Sequence, residues 1–348
     1  MVVIGHASYY TIKTKFGGIY YDQMMLEYMV DDTLFHRITS ELTNWIYVFH
    51  MPAYFCLSGV IFSIEMKKTR YSSLQELAVA KAKRLLLPML FVWVVWNIPI
   101  KMLSGYYSGL THPLAEAVLQ IVFPNAVYLW FLEALFFCFI MDYVLVKMVR
   151  KCSNQFIIVG LLGLIGLLFY KYIRQITPLG NPIKWLVWFW LGHYIDSVRD
   201  NLNGLLKKYF NISANAILAI ETTIFIVTYF MSFRVLKTQW IINNTILSFV
   251  GIIWVWELSE AIYRLFGHSK KFKKQMLQLS AVTYGVYLWA EPLNYLVLAV
   301  TVDLFGIAVF GKESGAVMIY GVRAIGSVLI AILITKLLKK LKFPIKAY

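Results

Sequence analysis

Apolar residues along this chain form long runs that alternate with short polar segments. Ten such runs cover residues 1–10, 44–64, 85–103, 128–149, 155–173, 184–196, 212–233, 239–258, 276–302 and 316–338. A helix of about 20 residues crosses the hydrocarbon core of a bilayer, and most of these runs reach that length. The pattern therefore predicts an all-α, polytopic integral membrane bundle of about ten transmembrane helices.

The first run is shorter than a membrane span. Ten residues of helix reach about 15 Å at the α-helical rise, which is half of a hydrocarbon core about 30 Å thick. We therefore expect the first transmembrane helix to be incomplete, through a misplaced start codon or a truncated chain.

Composition and charge agree with a membrane protein. Hydrophobic residues make up 60% of the chain and charged residues 15%, and the mean hydropathy of +0.66 excludes an ordinary soluble domain. The net charge of +15 lies in short loops between the apolar runs. This placement indicates topology and attraction to anionic lipids rather than nucleic-acid binding.

The distribution of lysine and arginine predicts the orientation. Most of these residues lie in the loops at 65–84, 147–151, 196–211, 259–275 and 336–348, whereas loop 104–127 has none. Basic loops stay in the cytoplasm, so the sequence predicts a multi-pass cell-membrane protein with a cytoplasmic C-terminus.

Neither a disulfide framework nor a metal site is indicated. Cys56, Cys138 and Cys152 are widely spaced, and no metal-spaced histidine pair or dinucleotide fingerprint is present. We expect no bound cofactor.

Histidines within apolar runs are the first candidates for chemistry. His50 precedes Pro52 in the run Asn44–Phe62, and His6 lies in the first run. An ionisable group in lipid is costly, so each must pack inside a bundle or line a wet cavity. Each histidine is either a functional group or a neutral side chain bonded to a backbone carbonyl; His50 could also brace the distortion at Pro52.

Carboxylates also fall within or beside the apolar runs, and Glu133 is the deepest in its own run. The others are Asp142, Glu221, Glu257, Glu291 and Asp303. Such a carboxylate can orient a histidine, hold a proton or pair with a buried cation.

A basic cluster, Lys81, Lys83 and Arg84, precedes the run 85–103, and residues 72–76 resemble a helix start that continues into that run. The cluster either contacts lipid headgroups or holds the phosphates of a cytoplasmic donor.

Together these segments resemble the acyltransferase family 3 membrane proteins over nearly the whole chain. The motifs occur in the family's order: Val-Ile-Gly-His6, Phe49-His50-Met-Pro52 through Ser58-Gly59, Lys83-Arg84-Leu-Leu-Leu-Pro88, Leu129-Trp130-Phe-Leu132, and Ser280 through Tyr284-Gly-Val-Tyr287-Leu288.

The resemblance implies an O-acyltransferase that passes an acyl group, most simply acetyl from cytoplasmic acetyl-CoA or another acyl-CoA, to a hydroxyl of a surface polysaccharide or its lipid-linked precursor. His6 matches the family's first-helix histidine, and we expect it to act as the base. His50 and Glu133 are expected as its orienting partners.

The same resemblance implies roles in substrate binding. Lys81-x-x-Arg84 matches, with one substitution, the family's Arg-x-x-Arg donor motif, so Lys81, Lys83 and Arg84 are expected at the donor phosphates. Trp130, Tyr284 and Tyr287 are the expected substrate-binding aromatics.

The chain departs from the family pattern at two places. The family's first-helix arginine would precede Met1, and Ala290-Glu291-Pro292 stands where many members have a histidine before the proline. No hydrolase-like segment follows Lys342, so residues 1–348 are predicted as a single acyltransferase membrane domain without a fused soluble domain.

A transporter or flippase for a lipid-linked sugar or a small solute is the alternative, because many carriers also place ionisable groups inside a bundle of about ten helices. No duplicated halves are visible in the sequence, which argues against a carrier. A purely structural membrane scaffold is a third alternative, but it would have no need for His6, His50 and Glu133.

Overall fold

The computed structural model describes the chain in segments, and its described residues are mainly helical, with helix making up 83%. The described residues are 2–14, 16–68, 70–122, 128–149, 155–169, 180–195, 200–201, 204–205, 213–231 and 243–345. The helices, numbered in chain order, are α1 (Val2–Ser8), α2 (Tyr21–Glu27), α3 (Leu34–Lys67), α4 (Leu74–Leu103), α5 (Pro113–Val122), α6 (Trp130–Val149), α7 (Gln155–Leu168), α8 (Gly180–Leu191), α9 (Ala214–Phe230), α10 (Thr245–Phe266), α11 (Lys270–Trp289), α12 (Glu291–Phe305) and α13 (Glu313–Lys340).

Several helices have the length and composition of membrane spans. Within the described segments, α3, α4, α10 and α13 are long and apolar enough to cross a bilayer. The pair α11 and α12, which is bent by 57° at its break, raises the number from 4 to 5 when it is counted as one span. A multi-pass helical membrane protein is thus confirmed, while the number of about ten spans stays a prediction.

The start of α4 agrees with the helix start expected at residues 72–76. Ser73 Oγ accepts a hydrogen bond of 3.1 Å from the Glu76 backbone N–H, and the Glu76 carboxylate accepts one of 2.8 Å from the Ser72 backbone N–H. These reciprocal bonds satisfy N–H groups that a helix leaves unpaired at its first turn. The helix then runs without interruption to Leu103, with π-helical turns at Ala82–Leu86 and Trp93–Asn97.

Parts of several predicted segments lie outside the described residues. These are residues 123–127 and 150–151 of two loops, 170–173, 212, 232–233 and 239–242 of three spans, most of loop 196–211, and 346–348 at the C-terminal end.

The chain divides into two compact units that alternate along the sequence. The first unit comprises residues 1–46, 82–133 and 277–348, and the second comprises 47–81 and 134–276. Each contains its own packed interior.

The first unit contains a β-hairpin that the helical pattern did not predict. Strand β1 (Thr11–Thr14) pairs antiparallel with β2 (Gly17–Tyr20) in the register Thr11↔Tyr20. Gly17 has a φ of 122°, which an L side chain rarely adopts. The Gly18 N–H donates to Tyr106 O at 2.8 Å, which fixes the hairpin to the end of α4.

The interior of the first unit is rich in tyrosine. Tyr10, Ile19, Tyr21, Met25, Tyr106, Tyr107, Ala117, Tyr295, Leu298, Ile307, Phe310 and Ile319 form one buried cluster. The hairpin, α2, the end of α4, α5, α12 and the 3₁₀ turn Ile307–Gly311 thus share a core.

The second unit packs its helices through glycines. A Cβ added at Gly163 of α7 would lie 2.8 Å from Val187 Cβ of α8, and one added at Gly59 of α3 would lie 1.8 Å from Phe189 O. These distances leave no space for a side chain, so glycine is required where the helix backbones approach each other closely.

Candidate functional site

The predicted catalytic histidine lies on α1, a short helix whose last carbonyls are held by side chains. Arg323 donates from Nη2 to His6 O at 2.8 Å and from Nη1 to Ala7 O at 2.7 Å, and His36 Nε2 lies 2.9 Å from Ser8 O. A helix leaves its last four carbonyls without intrahelical partners. Here a guanidinium and an imidazole supply partners for three of them in succession.

His36 is itself fixed in orientation. Its Nδ1 lies 2.6 Å from Asp32 Oδ1, and its ring stacks on Tyr10 with centroids 3.9 Å apart. Because the Ser8 carbonyl can only accept, the Nε2 that faces it carries a proton. The Ser8 hydroxyl also lies 2.9 Å from Thr43 Oγ1 of α3. The C-terminal end of α1 is therefore attached to α3 and α13.

The contact of Arg323 with His6 is made to the main-chain carbonyl. The side chain is partly buried, and its ring centroid lies 6.5 Å from that of Tyr9. Helix α1 packs against α12 and against the π-helical turn Val322–Gly326 that carries Arg323. The backbone that carries the imidazole is thus held against these two segments.

Polar side chains cover the faces of α4 and α12 that lie inside the first unit. Asn97 and Lys101 are four residues apart on α4 and are 0% and 1% exposed. Glu291, Asn294 and Tyr295 lie on one side of α12 and are equally inaccessible. The last turns of α4, Ile98–Leu103, pack directly on α12.

Charges in this region are in contact with aromatic groups. The Lys101 ammonium lies 4.3 Å from the ring centroid of Tyr106 and 5.2 Å from that of Tyr295. The Tyr295 hydroxyl donates to one oxygen of the Glu291 carboxylate. Lys101 and Arg323 are both within electrostatic range of Glu291. The described part of this region therefore holds two cations and one carboxylate.

Tyr106, just beyond the end of α4, stays neutral at physiological pH. Burial raises its pKa to about 12, although a contact of 3.1 Å with the Thr14 hydroxyl acts in the opposite direction. A neutral phenol offers the Lys101 ammonium the face of its ring, a favourable cation–π arrangement.

Polar atoms of the same residues make no hydrogen bond within the described part of the protein. They are Nδ2 and Oδ1 of Asn97, Nδ2 and Oδ1 of Asn294, Oε2 of Glu291 and Nε of Arg323. A buried polar atom without a partner costs free energy comparable to a lost hydrogen bond. The concentration of such atoms at membrane depth is typical of a site that takes a polar ligand.

Sequence reasoning did not single out Lys101, Arg323 or His36. Arg323 is a lone arginine in the apolar run 316–338, and Lys101 lies near the end of the run 85–103. The cost of an ionisable group in lipid, which drew attention to His6, applies equally to both. His36 lies before the run 44–64, and its carbonyl partner on α1 is set by tertiary packing.

Most of the predicted site residues belong to the first unit with His6, whereas His50 and Lys81 belong to the second. The predicted residues in the first unit are Lys83, Arg84, Trp130, Glu133, Tyr284 and Tyr287.

The two predicted tyrosines of α11 donate to backbone carbonyls. Tyr287 Oη donates to Tyr128 O at 2.7 Å, and Tyr284 Oη donates to Arg84 O at 2.9 Å. The ring of Tyr287 also lies 5.9 Å from that of Phe131, beside the predicted Trp130, which is partly buried. These contacts brace α11 against the segments that carry Arg84 and Trp130.

The residues of the basic cluster lie in different surroundings. Lys81 Nζ lies 2.8 Å from Glu65 Oε2 and 3.8 Å from the ring centroid of Phe139, inside the second unit. Lys83 and Arg84 are exposed on the π-helical turn Ala82–Leu86. The charge of Lys81 is therefore balanced internally, whereas Lys83 and Arg84 face outward.

The two predicted orienting groups lie on different helices. Glu133 is buried in the first turn of α6, where the helix dipole favours a carboxylate. His50 is buried on α3 two residues before Pro52, and its ring lies 4.5 Å from that of Tyr47. Their roles as partners of His6 stay predictions.

Among the described side chains, no group of three or more His, Cys, Asp or Glu residues could hold a metal ion.

A comparison with models of protein families identifies the family of the chain. The family model described as an acyltransferase domain, that of acyltransferase family 3, matches residues 1–336. Comparison with curated proteins and with solved structures gave no match. The matched range contains α1 with His6 and the polar faces of α4 and α12. The match covers nearly the whole chain, and the chain therefore belongs to acyltransferase family 3.

Proposed function

We propose that this protein is a membrane-bound O-acyltransferase that moves an acyl group, most simply acetyl, from cytoplasmic acyl-CoA to a hydroxyl of a cell-surface polysaccharide or its lipid-linked precursor. Family membership supports acyl transfer in a membrane. The observation that carries the proposal further is the position of His6, whose helix is clamped by Arg323 and His36 next to buried polar faces.

The proposed reaction needs one base and one attacking hydroxyl. The His6 imidazole takes the proton of the acceptor hydroxyl while its oxygen attacks the thioester carbonyl. The new C–O bond forms, the C–S bond breaks, and the proton passes from His6 to the departing sulfur. The products are an ester and the free CoA thiol. In this scheme Glu133, which belongs to the same unit, orients the imidazole.

Donor binding is proposed at Lys83 and Arg84. Both side chains are exposed, and an arginine fork with a neighbouring ammonium suits the phosphates of CoA. Lys81 was predicted in the same role, but its contact with Glu65 favours the other two. The proposal also includes the predicted topology, namely about ten transmembrane helices, a cytoplasmic C-terminus and a single membrane domain.

Acyl-CoA turnover by the purified chain in lipid nanodiscs tests this function. Replacing His6→Ala should lower acyl transfer by at least about a hundredfold, because general-base catalysis typically contributes that much. His268→Ala is the matched control, since His268 is exposed on the connection between α10 and α11. Normal activity in the His6 variant would show that His6 is not the base.

A carrier for a lipid-linked sugar is the second candidate. It is favoured by the 57° break between α11 and α12, because interrupted helices form the binding sites of many transporters. A carrier would not consume acyl-CoA, so release of free CoA thiol in the same assay separates the two functions.

A further inference from the structure

We propose that the facing polar surfaces of α4 and α12 form a binding site for the hydroxyl groups of a neutral polyol, such as a sugar ring. We call it the polyol site and define it by Asn97, Lys101, Glu291 and Asn294. The inference rests on the proposed function, because the acceptor of the acyl group would be its occupant.

The spacing of these residues places them on one side of each helix. Asn97 and Lys101 are separated by four residues, and Glu291 and Asn294 by three, so each pair lies on a single face. The two faces belong to helical segments that pack on each other. All four side chains are more than nine-tenths buried. The site therefore lies inside the unit rather than on its surface.

The hydrogen-bonding atoms at the site are of both kinds. Unpaired acceptors are the amide oxygens of Asn97 and Asn294 and Oε2 of Glu291, and unpaired donors are the two amide nitrogens together with Nε of the neighbouring Arg323. The Lys101 ammonium contacts two tyrosine rings and adds further N–H donors. Donors and acceptors are thus present in similar numbers.

This balance selects the ligand. A hydroxyl group donates one hydrogen bond and accepts others, so several hydroxyls on one ligand can satisfy both sets. An anion only accepts, and it would leave the amide oxygens unpaired while facing the Glu291 carboxylate. A cation only donates, and it would face Lys101 and Arg323. A neutral polyhydroxyl compound is the class that fits.

Direct binding without acyl-CoA tests the site independently of catalysis. Saturation-transfer difference NMR on the full chain in nanodiscs would use glycerol, methyl α-glucopyranoside and methyl α-galactopyranoside, and ³¹P line widths would report inorganic phosphate. We expect at least one neutral polyol to bind. Asn294→Leu and Asn97→Leu should each weaken that binding about tenfold or more, because an unsatisfied ligand hydroxyl is costly.

Thr301→Val is the matched control for these substitutions. Thr301 is a buried polar residue two turns further along α12 from Asn294, but its hydroxyl already donates to Val297 O at 2.7 Å. This variant should bind the polyol as the unaltered protein does. The two leucine variants should unfold at the same temperature as the unaltered protein or a higher one, since each removes buried polar atoms that lack partners.

Several results would overturn the polyol site. They are the absence of binding by every polyol, preferential binding of phosphate, and binding that both leucine variants retain. A lower unfolding temperature in the leucine variants with unchanged binding would show that the amides serve the fold. Polyol binding that persists in a protein without acyl-CoA turnover would instead refute the proposed function and leave the site standing.

Discussion

The two units of this protein bury charged groups in different ways. In the second unit two buried ionisable groups lie beside a group of opposite type. Lys81 contacts Glu65 at 2.8 Å, and His193 Nε2 lies 3.0 Å from Asp142 Oδ2. Arg70 reaches the same Glu65 from the surface.

Three buried charges of the first unit make their described contacts with neutral groups. Lys101 contacts tyrosine rings, Arg323 contacts carbonyls, and Glu291 accepts from Tyr295. In these two places the second unit balances a buried charge with a group of opposite type. Within its described residues the first unit keeps buried polar atoms without hydrogen-bond partners, and a bound polar ligand would offset their cost.

The largest effect on stability is expected from breaking a matched pair. Glu65→Leu leaves the Lys81 ammonium buried without its carboxylate, which should lower the free energy of unfolding by about 3–5 kcal/mol. Chemical unfolding in detergent micelles measures this change. Adding Lys81→Met to the same chain should recover most of the loss.

Glu260→Gln serves as the comparison for that prediction. Glu260 lies 3.9 Å from Arg264 in an exposed pair of the same unit, and its replacement should change stability by less than about 1 kcal/mol. Equal losses in the two variants would contradict the distinction between buried and exposed pairs.

In the first unit, replacing the buried Arg323 should change catalysis more than stability. Arg323→Lys keeps the charge but cannot donate to two carbonyls in the fork geometry of a guanidinium. We expect kcat for acyl transfer to fall about tenfold to a hundredfold, because a small displacement of His6 is costly in rate. The KM for acyl-CoA and the unfolding temperature should change little.

Lys336→Arg on the same helix is the matched substitution, since Lys336 is exposed, and it should leave kcat unchanged. An Arg323→Lys variant that unfolds at a lower temperature but retains kcat would assign Arg323 to the fold rather than to the position of His6.

The smallest effect is expected at Tyr287. Tyr287→Phe removes the hydrogen bond to Tyr128 O and should cost about 1 kcal/mol of stability. If this tyrosine braces α11, the KM for the acceptor stays the same. A raised acceptor KM with unchanged stability would instead support the substrate-binding role that the family resemblance implies. Tyr263→Phe, at an exposed position of α10, should alter neither quantity.

Hydrophobic periodicity predicted the long helices well. The run Asn44–Phe62 lies within α3, and the serines before residue 74 begin α4 as expected. Both features depend on local sequence, namely apolar length and capping groups. The break at Glu291 was not predicted, because Pro292 occurs inside an otherwise continuous apolar run.

The hairpin Thr11–Tyr20 was missed although its signals are present. From Tyr10 to Lys13 apolar and polar residues alternate, and Gly17 and Gly18 follow closely. Assigning the preceding run to a transmembrane helix gives no reason to expect strands directly after it.

The site was only partly predictable. His6 was predicted from its place in an apolar run and from the family resemblance, and its catalytic role stays a prediction. The groups that hold its helix are distant in sequence, since Arg323 bonds to carbonyls 316 and 317 residues away. No local pattern encodes such a contact. The unpaired amides of Asn97 and Asn294 likewise become visible only when the two helix faces are placed together.

The contact between Arg323 and α1 also bears on the synthesis of the protein. The ribosome makes α1 long before α13, which carries Arg323. During most of translation the carbonyls of His6 and Ala7 therefore have no guanidinium partner. The backbone of α1 gains this partner only when α13 has been made, so a nascent chain that stalls before α13 carries His6 without the contact that holds its helix.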